Sequence, residues 1–177
     1  MPPAAVLATA VLMATAPAAA PAPPDALPRG PVEVMALDGS LADLVSLAAP
    51  AGEGGPRAVL LVFWGTWCQP CIREIPVLKE LVRHHGPAGL KVIGVGLELQ
   101  GDTLERLSAA VSRHGIDYPV YFDHQGKARE AFGVTALPAA ALVDGDGRVR
   151  WSGPALPRDI NLRIQSALRP GEDRDGK

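Results

Sequence analysis

The chain has 177 residues, with 17 basic and 19 acidic side chains and a formal charge of −2. Apolar residues make up 47% and charged ones 20%, the composition of a packed globular chain rather than a disordered one, and so even a balance offers no surface for nucleic acid. One domain is expected at this length, and the two cysteines, Cys68 and Cys71, are too few for a disulfide-stapled miniprotein or a four-cysteine zinc site.

The first 24 residues hold ten Ala and six Pro, and the first charged side chain is Asp25. Ala4 to Ala16 is an apolar run followed by the small-x-small patterns Ala18-Ala19-Ala20 and Ala20-Pro21-Ala22, as in a secretory signal and its cleavage region. The n-region contains no Lys or Arg, and the run is shorter than the roughly 20 residues a membrane-spanning helix needs. Residues 1–30 are read as a signal peptide or Ala/Pro leader, 31–169 as one domain and 170–177 as a flexible polar tail. Export to the periplasm or another extracytoplasmic compartment, with a membrane tether left open, is the expectation.

Within the domain, Val32–Leu37, the turn Asp38-Gly39 and Ser40–Leu44 predict a hairpin leading into a loop. The Gly/Pro-rich stretch 49–56 precedes Ala58–Trp64, a run apolar on both faces and therefore a central strand. Cys71, Ile75, Leu78 and Val82 trace one face of a helix to about His85, with Pro76 expected to kink it rather than end it. Lys91–Leu97 is the next buried strand, and Asp102-Thr103-Leu104-Glu105 offers an N-cap with an acid three residues on. The helix that starts there carries Leu104, Leu107 and Val111 inward and stops at Gly115. A strand at Tyr118–Phe122, a helix around Lys127–Phe132, a hairpin of Ala139–Val143 with Arg148–Trp151, and a helix near Pro157–Leu168 complete the chain. Strands separated by helices need crossovers, so the fold class is α/β: an α/β/α sandwich on a mostly parallel sheet that the hairpins make mixed.

Trp67-Cys68-Gln69-Pro70-Cys71 lies where the central strand hands over to a helix, at the strand's carboxyl end, where open α/β sheets place their sites. Spacing of i, i+3 puts both sulfurs on one helix face, with Cα atoms about 5 to 6 Å apart, a span a disulfide can close. At the first turn Cys68 feels unpaired N–H groups and the helix dipole, which favour the thiolate, so it is the expected nucleophile. Cys71, on the apolar stripe and less exposed, is the expected resolving thiol. The alternatives are a static disulfide, which would close too small a loop to stabilise much, and a metal site. Zinc would need two more ligands from His84, His85, His114 or His124. His84 and His85 stand roughly 20 Å from Cys68 along its helix and read as surface groups complementing the dipole. Asp144-Gly145-Asp146-Gly147 lacks the bidentate acid of a calcium loop, Ala155 standing in its place.

The run Phe63 to Cys71, followed by Ile72-Arg73-Glu74-Ile75-Pro76, resembles the active-site segment of the thioredoxin superfamily, and within it the TlpA/ResA-like branch, over roughly residues 31–168. The resemblance implies a thioredoxin-like α/β/α sandwich with an N-terminal hairpin and an extra β-α insertion between Lys91 and Phe122. It also implies an exported thiol-disulfide oxidoreductase, commonly a reductant serving haem attachment or copper-site assembly. By the same resemblance Cys68 and Cys71 form the redox-active disulfide, and Pro138 is the cis-proline that with Leu137 and Trp67 docks substrate. Ala139 follows that proline where the branch more often has Thr. The buried Asp of plain thioredoxin is replaced by Val62, while Glu74, where the branch places a Glu, would relay the resolving thiol's proton, with an ordinary solvated helix Glu as the alternative.

Without a His between the cysteines, Gln69-Pro70 predicts a reducing couple, nearer about −270 mV than about −120 mV. No cofactor beyond the redox disulfide is expected. The expected partners are a cysteine-containing client protein, an apocytochrome or copper-site protein among the candidates, and a membrane electron donor, with the chain itself a monomer. A Cu(I)-delivery protein using the same cysteines without exchange is the alternative. A peroxiredoxin is disfavoured because Gly65 and Leu61 stand where that family has Thr and Pro.

Overall fold

The computed structural model describes residues 24–49 and 56–169. Residues 1–23 of the expected leader, the interior of the Gly/Pro-rich stretch and the expected tail lie outside them. The elements are β1 (Glu33–Ala36), β2 (Leu41–Asp43), α1 (Leu44–Ala48), β3 (Ala58–Trp64), α2 (Gln69–His85), β4 (Leu90–Leu97), α3 (Leu104–His114), β5 (Val120–Asp123), α4 (Lys127–Ala131), β6 (Ala139–Asp144), β7 (Val149–Gly153) and α5 (Ile160–Ala167). One seven-stranded sheet has the order β2-β1-β5-β4-β3-β6-β7.

Strand β3 is buried along its whole length, and its two-residue alternation divides the core. Ala58, Leu60, Val62 and Trp64 face the cluster built with α2, α3 and α5. Val59, Leu61 and Phe63 face the cluster that α1 and α4 cover. On β4 the same alternation turns Ile93, Val95 and Leu97 to the second cluster and leaves Gly94 and Gly96 on the first face. That face is tightly packed: a Cβ on Gly96 would come within 2.5 Å of the Leu107 side chain on α3, and one on Gly94 within 3.3 Å of the Trp64 indole, so either neighbour would have to shift.

The sheet is mixed, as expected, but less parallel than the alternation of elements suggests. Only β3/β4 and β4/β5 pair parallel, while β1/β2, β1/β5, β3/β6 and β6/β7 are antiparallel. A parallel neighbour requires a crossover of a dozen or more residues, which α2 and α3 supply. The five-residue α4 is too short to return the chain to the far end, so β6 starts where β5 and β3 finish. The β3–β6 register pairs Phe63 with Ala139, which sets Pro138 level with the end of β3.

Several local expectations change. The loop after the hairpin is the short helix α1, because Asp43 caps it by accepting from the N–H groups of Val45 and Ser46 and also holds Val32 N at 2.8 Å. Helix α2 continues past the exposed Pro76, which, as expected, does not end it. The cap of α3 is Thr103, accepting from Arg106 N, rather than Asp102. Upstream of the expected 30/31 boundary, Ala26 bridges Arg148, Leu27 N donates to Gly147 O at 3.0 Å, and Val149 N donates to Asp25 O at 2.9 Å. These residues pair with the turn before β7 and with its first residue, Val149.

Leu60 is fully buried in the central strand. Leu60→Ala is expected to cost about 2–5 kcal/mol through lost burial and a residual cavity, measured by chemical denaturation. A cost below about 1 kcal/mol would contradict the packing described.

Candidate redox site

Cys68 is the N-cap of α2, and its carbonyl accepts the first helical hydrogen bond, from Ile72 N at 3.1 Å. Its own N–H donates to Gly65 O at 3.0 Å, which closes the turn out of β3. The helix starts here because Pro70, in the first turn, has a fixed φ and no N–H to satisfy. Cys68 and Cys71 are joined as a disulfide with Cα atoms 5.3 Å apart, and Cys71 N lies 3.3 Å from Cys68 Sγ. The upstream sulfur therefore receives a backbone donor at the positive end of a 17-residue helix.

The expected difference in exposure between the two cysteines is not found: Cys68 is 3% exposed and Cys71 4%. With the disulfide closed, both side chains pack in the α2/α3/α5 core cluster, and only Gln69 and Pro70 between them are exposed. The asymmetry of the pair lies in backbone donors rather than in accessibility.

Trp67, expected to dock substrate, is half-buried, and its Nε1–H donates to Leu99 O in the β4–α3 connection at 3.1 Å. Its ring folds back over Gly65, where a Cβ would lie 3.0 Å from the indole. The Leu137–Pro138 peptide bond is cis, and Leu137 packs against both core clusters. The loop before it, Thr135 and Ala136, is exposed. The carboxyl end of β3 thus gathers Trp67, Cys68, Cys71, Leu137 and Pro138 from two distant parts of the chain.

Glu74, one helical turn past Cys71, is half-buried rather than freely solvated, and its Oε1 accepts from Leu156 N in the β7–α5 connection at 3.0 Å. Burial holds its carboxyl above the ordinary value of 4.5, with the Leu156 N–H pulling the other way. Its charge also reaches Tyr118, whose phenol is pushed well up by burial and then by the neighbouring Asp117 and Glu74 carboxylates.

The histidines do not gather at the cysteines. His84 is exposed, as expected. His85 is not a surface group: it is 4% exposed, and its Nε2 lies 2.8 Å from Asn161 Oδ1 on α5. The periodicity of α2 turns its last residue inward, where α5 supplies the polar partner.

Two residues at the site escape the sequence reading. Asp102, buried, accepts from Thr66 N at 2.8 Å and from the Thr66 hydroxyl. The available signal was that Thr103 alone suffices to cap α3, which leaves the preceding acid without a local use.

The fold and the dithiol motif define a thioredoxin-like protein. The AhpC/TSA family model matches residues 32–152, and the chain belongs to that family. Over 112 residues the chain is 32% identical to the thiol-disulfide oxidoreductase ResA of Geobacillus thermodenitrificans, covering 62% of this chain and 63% of that relative. The chain therefore spans less than two thirds of that relative's length. Among solved structures, a putative thiol:disulfide interchange protein DsbE from Chlorobium tepidum superposes with a TM-score of 0.69 at 20% identity, covering 84% of this chain and all of that one. A secreted Mycobacterium tuberculosis disulfide oxidoreductase superposes with a TM-score of 0.61 at 19% identity, covering 76% of this chain and 94% of that one.

A raised carboxyl pKa means the folded state binds the proton more tightly than the unfolded chain. Glu74's contribution to stability is then fully present below its ordinary 4.5 and lost as pH rises through the raised value. Glu74→Gln keeps an oxygen for Leu156 N–H but cannot ionise. Its Tm is expected to exceed the parent's at pH 8 by on the order of 2 °C, with the gap closing towards pH 4. A gap that stays constant between those pH values in thermal melts would refute the burial of this carboxylate.

Proposed function

We propose that this chain is an extracytoplasmic thiol-disulfide oxidoreductase that reduces disulfides in client proteins. The observation that carries the reading is the Cys68–Cys71 pair at the N-terminus of α2, with one sulfur held against a helix N–H and the other on the helix's buried stripe. The ResA relative supports the activity, and the secreted structural neighbour supports the compartment, together with the apolar, Ala/Pro-rich start of the sequence. No helix among the described residues is long and apolar enough to cross a membrane.

In the reduced protein the helix N-terminus favours the Cys68 thiolate. That thiolate attacks one sulfur of the client disulfide, forming a mixed disulfide and releasing the other client sulfur as a thiolate, which takes up a proton. Cys71 loses its proton, for which Glu74 one turn away is the proposed acceptor, and attacks the Cys68 sulfur. The Cys68–Cys71 bond closes, the second client sulfur leaves as a thiolate, and the client has gained two electrons. A dithiol on a membrane electron donor then reopens the pair. The proposed docking surface is Trp67 with Leu137 and Pro138, and a cysteine-containing client such as an apocytochrome or a copper-site protein suits a reductant of this kind.

Raising Glu74's pKa brings a carboxylate closer to the range in which it exchanges protons with a thiol at neutral pH. Its negative charge also disfavours a neighbouring thiolate, which shifts the couple towards reduction of others.

Two measurements test the reading. Cys71→Ser is expected to leave Cys68 in a stable mixed disulfide with its client, recovered from an extracytoplasmic fraction and identified by mass spectrometry, whereas Cys68→Ser traps nothing. The Cys68/Cys71 couple, equilibrated with glutathione, is expected near about −270 mV, and a potential above about −180 mV would overturn the reducing direction. Exchange with a model disulfide at the uncatalysed rate would overturn the enzyme.

A further inference from the structure

Three buried side chains among the described residues are polar or charged: His85, Asp102 and Asp123. Two have evident local uses. Asp123 accepts from Ala128 N and Arg129 N at the start of α4, at 3.0 and 2.8 Å, and His85 is tied to Asn161. Asp102 has none, since Thr103 caps its helix. Its hydrogen bonds go instead to both polar groups that Thr66 can donate, 36 residues earlier and two residues before Cys68.

The segment that presents Asp102 is shaped for this contact. Gln100, at φ 52°, is the only non-glycine residue with positive φ among the described residues, and Gly101 follows at φ 78°. A residue with a Cβ adopts that conformation at a cost, and such outliers persist where the surroundings over-determine them. Here Asp102 N closes the turn onto Leu99 O at 3.0 Å, and the same Leu99 O accepts from Trp67 Nε1. The turn therefore aims one carbonyl and one carboxylate at residues 65–67. The approach is close: a Cβ on Gly65 would lie 3.3 Å from Asp102 Oδ2.

We infer that Asp102, acting through Thr66, is a positioning residue that fixes the Gly65–Trp67 segment and so holds the Cys68 sulfur over the first turn of α2. The inference rests on the dithiol-exchange reading for its consequence in turnover, but its physical content is the acidity of one thiol. Cys68 is stabilised as thiolate only while its sulfur stays aligned with the N–H groups of the helix start. Its N–H is bonded to Gly65 O, inside the segment that Asp102 restrains. Slack in that segment moves the sulfur off the helix axis, and the thiol drifts towards the free value of about 8.5.

The test uses the full-length reduced protein. The Cys68 pKa is read from the pH dependence of alkylation by iodoacetamide, and kcat/KM from reduction of a model disulfide. Thr66→Val deletes the hydroxyl bond and is expected to raise the Cys68 pKa by about 0.5–1 and lower kcat/KM about 10-fold. Thr66→Ser restores the hydroxyl and is expected to return the rate to within about twofold of the parent. Asp102→Ala removes both acceptors and is expected to raise the Cys68 pKa as Thr66→Val does, whereas Asp102→Asn, which can still accept from Thr66 N and donate to its hydroxyl, is expected not to; a folded Asp102→Ala protein with the parent's thiol pKa overturns the inference. Should Thr66→Val fail to fold, Thr66→Ala carries the same expectation. A folded Thr66→Val or Thr66→Ala protein with the parent's thiol pKa and rate overturns the inference, as does one whose only change is a lower Tm. Alkylation needs neither client nor exchange, so a parent inactive in exchange refutes the proposed function while the pKa comparison still decides the role of Asp102.

Discussion

The pairing of β3 with β4 on one side and β6 on the other is the constraint on which the site depends. Because β3 is buried on both faces, its carboxyl end is a fixed point. The parallel partner β4 ends beside it, with Trp64 opposite Gly96. The antiparallel partner β6 begins beside it, with Phe63 opposite Ala139. Three chain segments far apart in sequence, carrying the cysteines, the Leu99–Asp102 turn and the cis-proline, therefore meet at one end of the central strands. A slip of one residue in either register would reverse the facing of every side chain on the slipped strand, and the meeting would be lost.

At that end of the sheet, opposing electrostatic influences act on the cysteine pair. The start of α2 favours negative charge on the Cys68 sulfur through a backbone donor at 3.3 Å. Burial of both sulfurs in an apolar cluster disfavours it. The half-buried Glu74 carboxylate, its pKa raised by burial, adds a second negative charge one turn along the same helix. In the proposed reaction the helix start would make one sulfur acidic enough to attack, while the low-dielectric packing and the negative charge would favour giving up the pair's electrons.

Small residues decide how closely the pieces fit. Gly94 and Gly96 let the Trp64 indole and Leu107 press against β4, and Gly65 lets the Trp67 ring and the Asp102 carboxylate approach the backbone before the first cysteine. Each glycine stands where an aromatic, a leucine or a buried acid occupies the space a Cβ would take. The close packing around the redox segment is thus written as absences of side chain, which hydrophobic periodicity does not register.

What the sequence determined alone was whatever depends on local pattern. The continuous apolar run Ala58–Trp64 is a central strand because nothing polar interrupts it. The three-residue step from Cys68 to Cys71 puts both sulfurs on one helix face, and Pro70 beside them starts that helix. The cis bond before Pro138 was expected from the resemblance of the cysteine segment to the thioredoxin superfamily, not from local pattern. What only the tertiary structure decided were contacts between segments remote in the chain. Asp102 reads locally as a helix cap and becomes the partner of Thr66, and His85 reads as a surface residue and is buried against Asn161. Cys68 reads as the exposed member of the pair and is as buried as Cys71. The antiparallel direction of β6 against β3 followed from the shortness of α4, whose consequence for strand direction exists only once β6 has a neighbour. Periodicity and spacing are properties of one segment, whereas a hydrogen-bond partner and the burial of a polar group belong to two segments at once, and their pairing is fixed by the sheet.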